Sequence, residues 1–289
     1  MNRMKTALMG AFLWVTVGSP AWADYSTGFE LSDSTSPNQY VAGSVINGKT
    51  DADTAANWTI PGGYAGGATI SSTNPASGSW AGRLTDNNTS GAYGNVLNLG
   101  STVSGFSSLS TWTFSIDLAF QNVTTSPTAP EYQLTLGQPT ASGSGKYWFR
   151  FVYDDGNLVL YTRQSATAMT AVNLGSYLSY VSAEGEYVKL TLSIDPTLKK
   201  YTGVSLSGDL LTSDLTTLVQ ASNTGTIPWG DTTTGDPALN LLFVASTASA
   251  ITVDMDNISM VPEPSSVALL GLACLTLLGL MRRRTSTLY

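Results

Sequence analysis

Histidine does not occur in this 289-residue sequence, and cysteine occurs once. The first absence excludes Ser-His-Asp and Cys-His catalysis and every histidine-ligated zinc or iron centre. Any catalysis would have to rest on carboxylates, tyrosine or lysine. The single cysteine, Cys274, sits in an apolar stretch near the C-terminus, so no intramolecular disulfide is available. Charge is also scarce: Asp, Glu, Lys and Arg make up 11% of the chain, against about 25% in ordinary globular proteins. Hydrophobic residues reach 42%, which is enough to bury a core and excludes a disordered polyelectrolyte. The formal net charge is −7. Residues 24–260 hold 19 acidic side chains and 8 basic ones. That balance argues against nucleic acid as a partner and for a soluble anionic surface.

Long apolar runs occur only at the two ends. Arg3 and Lys5 precede the apolar stretch Ala7 to Val17, and Ser19, Pro20 and the small-residue pattern Ala21-Trp22-Ala23 follow it. This order predicts a secretory signal peptide over residues 1–23, cleaved before Asp24 after export by the Sec route. At the other end, Val267 to Met281 form an uncharged run of 15 residues. As a helix it would span about 22 Å, which is short against a hydrocarbon core of about 30 Å. Arg282, Arg283 and Arg284 follow immediately and would stay on the cytoplasmic side. A precursor held in the membrane by segment 267–281, with everything before Pro262 on the far side, is the expectation.

Val261, Pro262, Glu263, Pro264 and Ser265, then the short Leu/Gly/Ala-rich span, then Arg282, Arg283 and Arg284, stand close to the chain end. The arrangement resembles the PEP-CTERM sorting signal of Gram-negative bacteria and covers residues 261–289. The resemblance implies that the partner of this segment is an exosortase, a membrane protease-transpeptidase that processes such tails. It implies a cell-surface or extracellular-matrix destination, and a processing substrate in place of a catalyst.

Between the terminal segments the periodicity is that of strands. In TWTFSIDLAF, Trp112, Phe114, Ile116, Leu118 and Phe120 alternate with Thr113, Ser115, Asp117 and Ala119, the period-two pattern of a half-buried strand. EYQLTLG from Glu131, KYWFRFVYD from Lys146, LVLYTR from Leu158, EYVKLTLSID from Glu186, LNLLFVAS from Leu239 and ITVDMDNISM from Ile251 read the same way. YDDGNL places an Asp-Gly turn between two of these runs and predicts a hairpin of Tyr147–Asp154 with Leu158–Arg163. Gly62 to Ser79 is almost all Gly, Ser, Ala and Thr and reads as a long surface loop. No segment outside the two ends shows an amphipathic helical repeat. Residues 24–260 are therefore expected to form one all-β domain, an antiparallel jelly-roll β-sandwich.

Three short motifs carry a second resemblance. Gly28, Phe29 and Glu30 open the domain; Ser77, Gly78, Ala81 and Arg83 lie about fifty residues on; Asp256, Asn257 and Ile258 lie in the closing strand. Together they resemble the framework of secreted jelly-roll carbohydrate-binding modules and concanavalin-like sandwiches. The resemblance implies polysaccharide binding and, where the first and last strands meet, a structural calcium. Glu30, Asp254 and Asp256 are the residues with hard oxygen ligands in that place.

Sugar-binding surfaces use flat aromatic rings, because the apolar faces of pyranoses stack on them while polar side chains meet the edge hydroxyls. Trp148 and Arg150 fall on the strand face opposite Tyr147, Phe149, Phe151 and Tyr153, and Trp229 sits in the loop GTIPWGD. Trp148, Arg150 and Trp229 are the expected glycan contacts, with Trp58 and Trp80 as further candidates. No catalytic residue is assigned. A glycosidase needs two carboxylates about 5 to 9 Å apart, and the clustered Glu-x-Asp-x-x-Glu run of concanavalin-like hydrolases does not occur. The alternative to a binding protein is a carbohydrate-active hydrolase whose carboxylates converge only in the folded chain.

Overall fold

A computed structural model describes residues 25–53, 55–59, 68–85, 93–98, 111–122, 132–138, 146–163, 169–195, 198, 200–222, 240–245 and 251–262. The expected signal peptide, the apolar segment 267–281, Glu263 to Ser265, Arg282 to Arg284 and Trp229 lie outside the described residues. Among the described residues no helix is long and apolar enough to cross a membrane.

The first strands are β1 (Tyr25–Thr27), β2 (Trp58–Thr59), β3 (Ala68–Ser71), β4 (Ala81–Thr85) and β5 (Tyr93–Asn98). The central ones are β6 (Trp112–Gln121), β7 (Tyr132–Gln138), β8 (Lys146–Asp154), β9 (Asn157–Arg163) and β10 (Met169–Ser176). The last are β11 (Val188–Asp195), β12 (Lys200–Ser207), β13 (Thr212–Asp214), β14 (Asn240–Ala245) and β15 (Thr252–Pro262). They form two antiparallel sheets packed as a sandwich. The first runs β13-β12-β11-β6-β15-β4-β3, with β1 also paired to β15; the second runs β10-β9-β8-β7-β14-β5-β2. β15 is thus a central strand, with β6 along one edge and β4 and β1 end to end along the other.

The alternation read in β6 is realised: Trp112, Phe114, Ile116, Leu118 and Phe120 are buried. Phe114 meets Phe149 of the facing sheet at 4.9 Å between ring centroids, and Phe120 stacks on Tyr153 at 4.5 Å. Each such pair adds about 0.5–1.5 kcal/mol to the burial of its area. The hairpin of β8 and β9 forms, with Asp155 at φ 47° and Gly156 at φ 78°. Both central residues of its turn have the positive φ that matches the twist of paired strands.

Two expectations need correction. The surface loop expected over Gly62–Ser79 contains β3, whose Ala68 and Ile70 are buried and which pairs with β4. One short helix, α1 (Thr216–Ser222), packs Val219 into the core against β12.

Candidate functional site

The outward face of the second sheet carries the first group of expected glycan contacts. β8 presents Phe149, Phe151 and Tyr153 to the core, so Arg150 points away from it and is half-buried. Across the ladder, Thr135 of β7 pairs with Arg150, and Arg150 pairs with Tyr161 of β9. The guanidinium carbon lies 5.0 Å from the centre of the Tyr161 ring, a cation–π arrangement worth about 0.5–2 kcal/mol. Among the described residues the buried Nε of Arg150 has no hydrogen-bond partner. The register between β7 and β8 shifts between Leu136 and Gly137, opposite Phe149 and Tyr147, so the backbone irregularity falls at Trp148. The Trp148 side chain lies outside the described residues.

Two of the further tryptophans belong to the core. Trp58 is 1% exposed, donates its indole N–H to the Tyr40 hydroxyl at 2.9 Å and lies 5.8 Å from the Phe29 ring. It fills the interior and offers no stacking surface. Trp80 packs, partly buried, against the same core.

On the outward side of the first sheet, the three carboxylates expected to ligate calcium are placed near the first and last strands but hold protein donors. Asp254 is fully buried and takes a two-pronged ion pair from Arg83, Nε to Oδ1 at 2.6 Å and the second prong at 2.8 Å. The Gln121 and Asn74 side-chain amides complete its shell at 3.1 and 3.2 Å. Asp256, also fully buried, accepts the backbone N–H groups of Ala76 and Ser77 at 2.9 and 3.0 Å and that of Asn257 at 2.7 Å. Glu30 accepts those of Ser79 and Trp80. Together they clamp the segment Asn74–Trp80 over β15, as Tyr187 does by donating its hydroxyl to the Asn74 carbonyl.

This chemistry does not fit the calcium assignment. Arg83 already supplies the positive charge at Asp254, and both oxygens of Asp256 and Oε1 of Glu30 accept from backbone amides. Among the described residues no group of three or more Asp, Glu, His or Cys side chains is placed to hold a metal ion. Burial pushes Asp256 up to about 6; the amides of Ser77, Asn257 and Ala76 oppose the rise, and the nearby Asp117 adds to it.

The three short motifs of the sequence acquire structural roles from this network. A Cβ on Gly28 would lie 3.2 Å from Asp256 Oδ1, a tight contact that would press on that carboxylate. Phe29, at φ 59°, is buried against Tyr40 and Trp58. Gly78 has φ 62°, and a Cβ on it would overlap the Glu30 carboxylate. Ser77 Oγ donates to Asn257 Oδ1 at 2.7 Å, and Asn257 Nδ2 donates to Asp117 Oδ2 at 2.7 Å. Sequence reasoning missed Asn74, Asp117, Gln121 and Tyr187, since nothing local marks them as partners of residues 113 to 180 positions away.

Residues 261–284 match the family model described as the PEP-CTERM protein-sorting motif. The chain carries a PEP-CTERM sorting signal. The described part of that match begins on β15, where Val261 is exposed and pairs with Thr113 of β6. The sorting signal therefore leaves the sandwich directly from the end of its central strand. No curated protein matches the chain. Among solved structures, the binding domain of botulinum neurotoxin DC in complex with SialylT is similar at TM-score 0.47 and 10% identity, covering 79% of this chain and 51% of that one. A carbohydrate esterase from the Shiga toxin-encoding bacteriophage phi24B is similar at TM-score 0.43 and 15% identity, covering 71% and 90%. The chain spans about half the length of the neurotoxin domain. At these scores the likenesses carry no argument about ligand or chemistry.

Proposed function

We infer from the PEP-CTERM motif that the protein is exported and that its precursor is membrane-anchored and processed by an exosortase. We propose that the protein is a non-enzymatic component of the Gram-negative cell surface or extracellular matrix, and that its sandwich is a jelly roll that binds polysaccharide. The contact face is the outward side of the second sheet at Arg150. The observation that carries this is the half-buried Arg150 guanidinium, which rests on the half-buried Tyr161 ring on that face. A stacked, planar donor beside an aromatic ring is suited to the hydroxyls and the apolar face of a pyranose. Trp148 and Trp229 are proposed as further stacking contacts. Calcium has no part in this reading.

The test is calorimetric titration of the full chain in detergent with soluble linear glycans, neutral and uronate-bearing. Binding should occur without release of reducing ends. Arg150→Ala should weaken it by about 1.5–3 kcal/mol, the range for hydrogen bonds to a charged group. Trp148→Ala should weaken it by about 1–3 kcal/mol if the ring stacks on sugar as aromatic rings do under bases. Absence of binding to every glycan, or cleavage of any, would overturn the reading.

A further inference from the structure

The outward face of the first sheet is divided in two. One part lies under the clamped segment Asn74–Trp80; the other is open and holds a groove of about 360 Å³ lined by Ser26, Gly28, Ser115, Lys189, Asn257 and Ser259, among others. The cross-strand register extends this groove into a row. Ser26 of β1 pairs with Ser259 of β15, Ser259 with Ser115 of β6, Ser115 with Thr191 of β11, Thr191 with Ser205 of β12, and Ser205 with Asp214 of β13. All six are exposed or half-buried. At about 4.8 Å between strands, five steps give a strip about 24 Å long. Each of its hydroxyls offers one donor and two acceptor lone pairs.

Lys189 stands exposed beside this strip, and among the described residues its ammonium has no ion-pair partner. Its neighbour across the ladder, Asp117, is held instead by Asn257 Nδ2 at 2.7 Å. Among the described residues the one ion pair is that of Arg83 with Asp254. The groove therefore presents a lysine, an asparagine and alternating donor–acceptor hydroxyls. Among the described residues, those lining the groove include no large exposed apolar side chain; Val261, two residues beyond Ser259 on β15, is exposed outside it. A lipid or an apolar peptide finds no purchase there. A linear glycan, which repeats hydroxyls along an extended backbone, finds a partner at every strand.

We propose that this groove and hydroxyl strip form a second glycan surface, so that one domain holds two polysaccharide chains on opposite sheets and cross-links them. The inference rests on the polysaccharide reading above and adds a surface to it. Two sites about one sandwich thickness apart also raise the retention of one domain in a matrix beyond that of either site alone.

The experiment is calorimetric titration of the full chain in detergent with a neutral β-linked glucan hexasaccharide and with an alginate hexasaccharide. The wild-type chain should take two equivalents of the glycan it binds. The variant combining Ser115→Val, Thr191→Val and Lys189→Gln should take one, and so should Arg150→Ala. Lys189→Gln alone, at an exposed position where folding is not at risk, should weaken one of the two sites about tenfold. Two equivalents retained by the triple variant would overturn the proposal. So would one equivalent in the wild type that Arg150→Ala abolishes and the triple variant keeps, a result that leaves the polysaccharide reading standing. No binding by the wild type overturns both.

Discussion

Removing Arg83 should be among the most damaging changes to the fold. Asp254 has no exposed surface and sits on β15 in the centre of the first sheet, with both oxygens on the guanidinium at 2.6 and 2.8 Å. In Arg83→Met the carboxylate keeps only the Gln121 and Asn74 amides, at 3.1 and 3.2 Å. Breaking a buried pair by deleting one partner costs about 3–5 kcal/mol, because the remaining charge stays desolvated. For a domain of this size each kcal/mol lowers Tm by about 2–4 °C, so the melting temperature should fall by about 6–20 °C. The partner variant Asp254→Leu leaves the half-buried Arg83 guanidinium without its carboxylate and should also destabilise. The double variant, Arg83→Met with Asp254→Leu, removes both charges and should recover most of the loss. Urea unfolding of all four chains completes the cycle. A loss below about 1 kcal/mol for Arg83→Met, or a double variant as unstable as the two losses added together, would refute the argument that charge pairing holds this part of the sandwich.

Gly78→Ala should cost about 2–4 kcal/mol, because it combines a strained positive φ with displacement of the Glu30 carboxylate from the amides of Ser79 and Trp80; an unchanged urea midpoint would count against the clamp. Asp256 binds its proton more tightly folded, at about 6 against an ordinary value near 3.8. Its contribution to stability is therefore fully present below about pH 4 and is lost as the pH rises to about 6. Melting curves across that window should show Asp256→Asn gaining on the wild-type chain as the pH rises, and parallel pH profiles would refute the shift. Replacing Pro262, Glu263 and Pro264 together by Ala should block processing in the native host, read as an unshortened chain that stays with the membrane; normal size and location would remove these residues from the recognised signal.

The strands were legible where apolar residues alternate with polar ones along the sequence, as in β6, β11 and β15. They were not legible where the pattern is broken or the composition bland. β12 carries Tyr201, Val204 and Leu206 inward, yet the register slips opposite Ser193 and Ile194, and that extra residue spoils the alternation. β3, in a run of Gly, Ser, Ala and Thr, offers only Ala68 and Ile70 to the core. The carboxylates show a different limit. Glu30, Asp254 and Asp256 were legible as acids near the first and last strands, but the donors that claim Asp256 come from backbone amides about 180 residues away. A carboxylate's own neighbours in sequence cannot say whether a cation, a guanidinium or a loop will meet it. The hydroxyl strip is the same problem in sharper form. Each strand contributes a single Ser or Thr, none unusual in a Ser/Thr-rich chain, and only the pairing register of five strands turns them into a continuous polar surface. Register is a property of the folded sheet, since a slip of one residue in any strand would turn its hydroxyl to the core. The clamp at Asp254 and Asp256 and the slip between Asp256 and Ser259 hold β15 in the register that places Ser259 beside Ser115. Stability of the polar network and the continuity of the open surface are therefore linked through one strand, and damage to Arg83 should be felt at both.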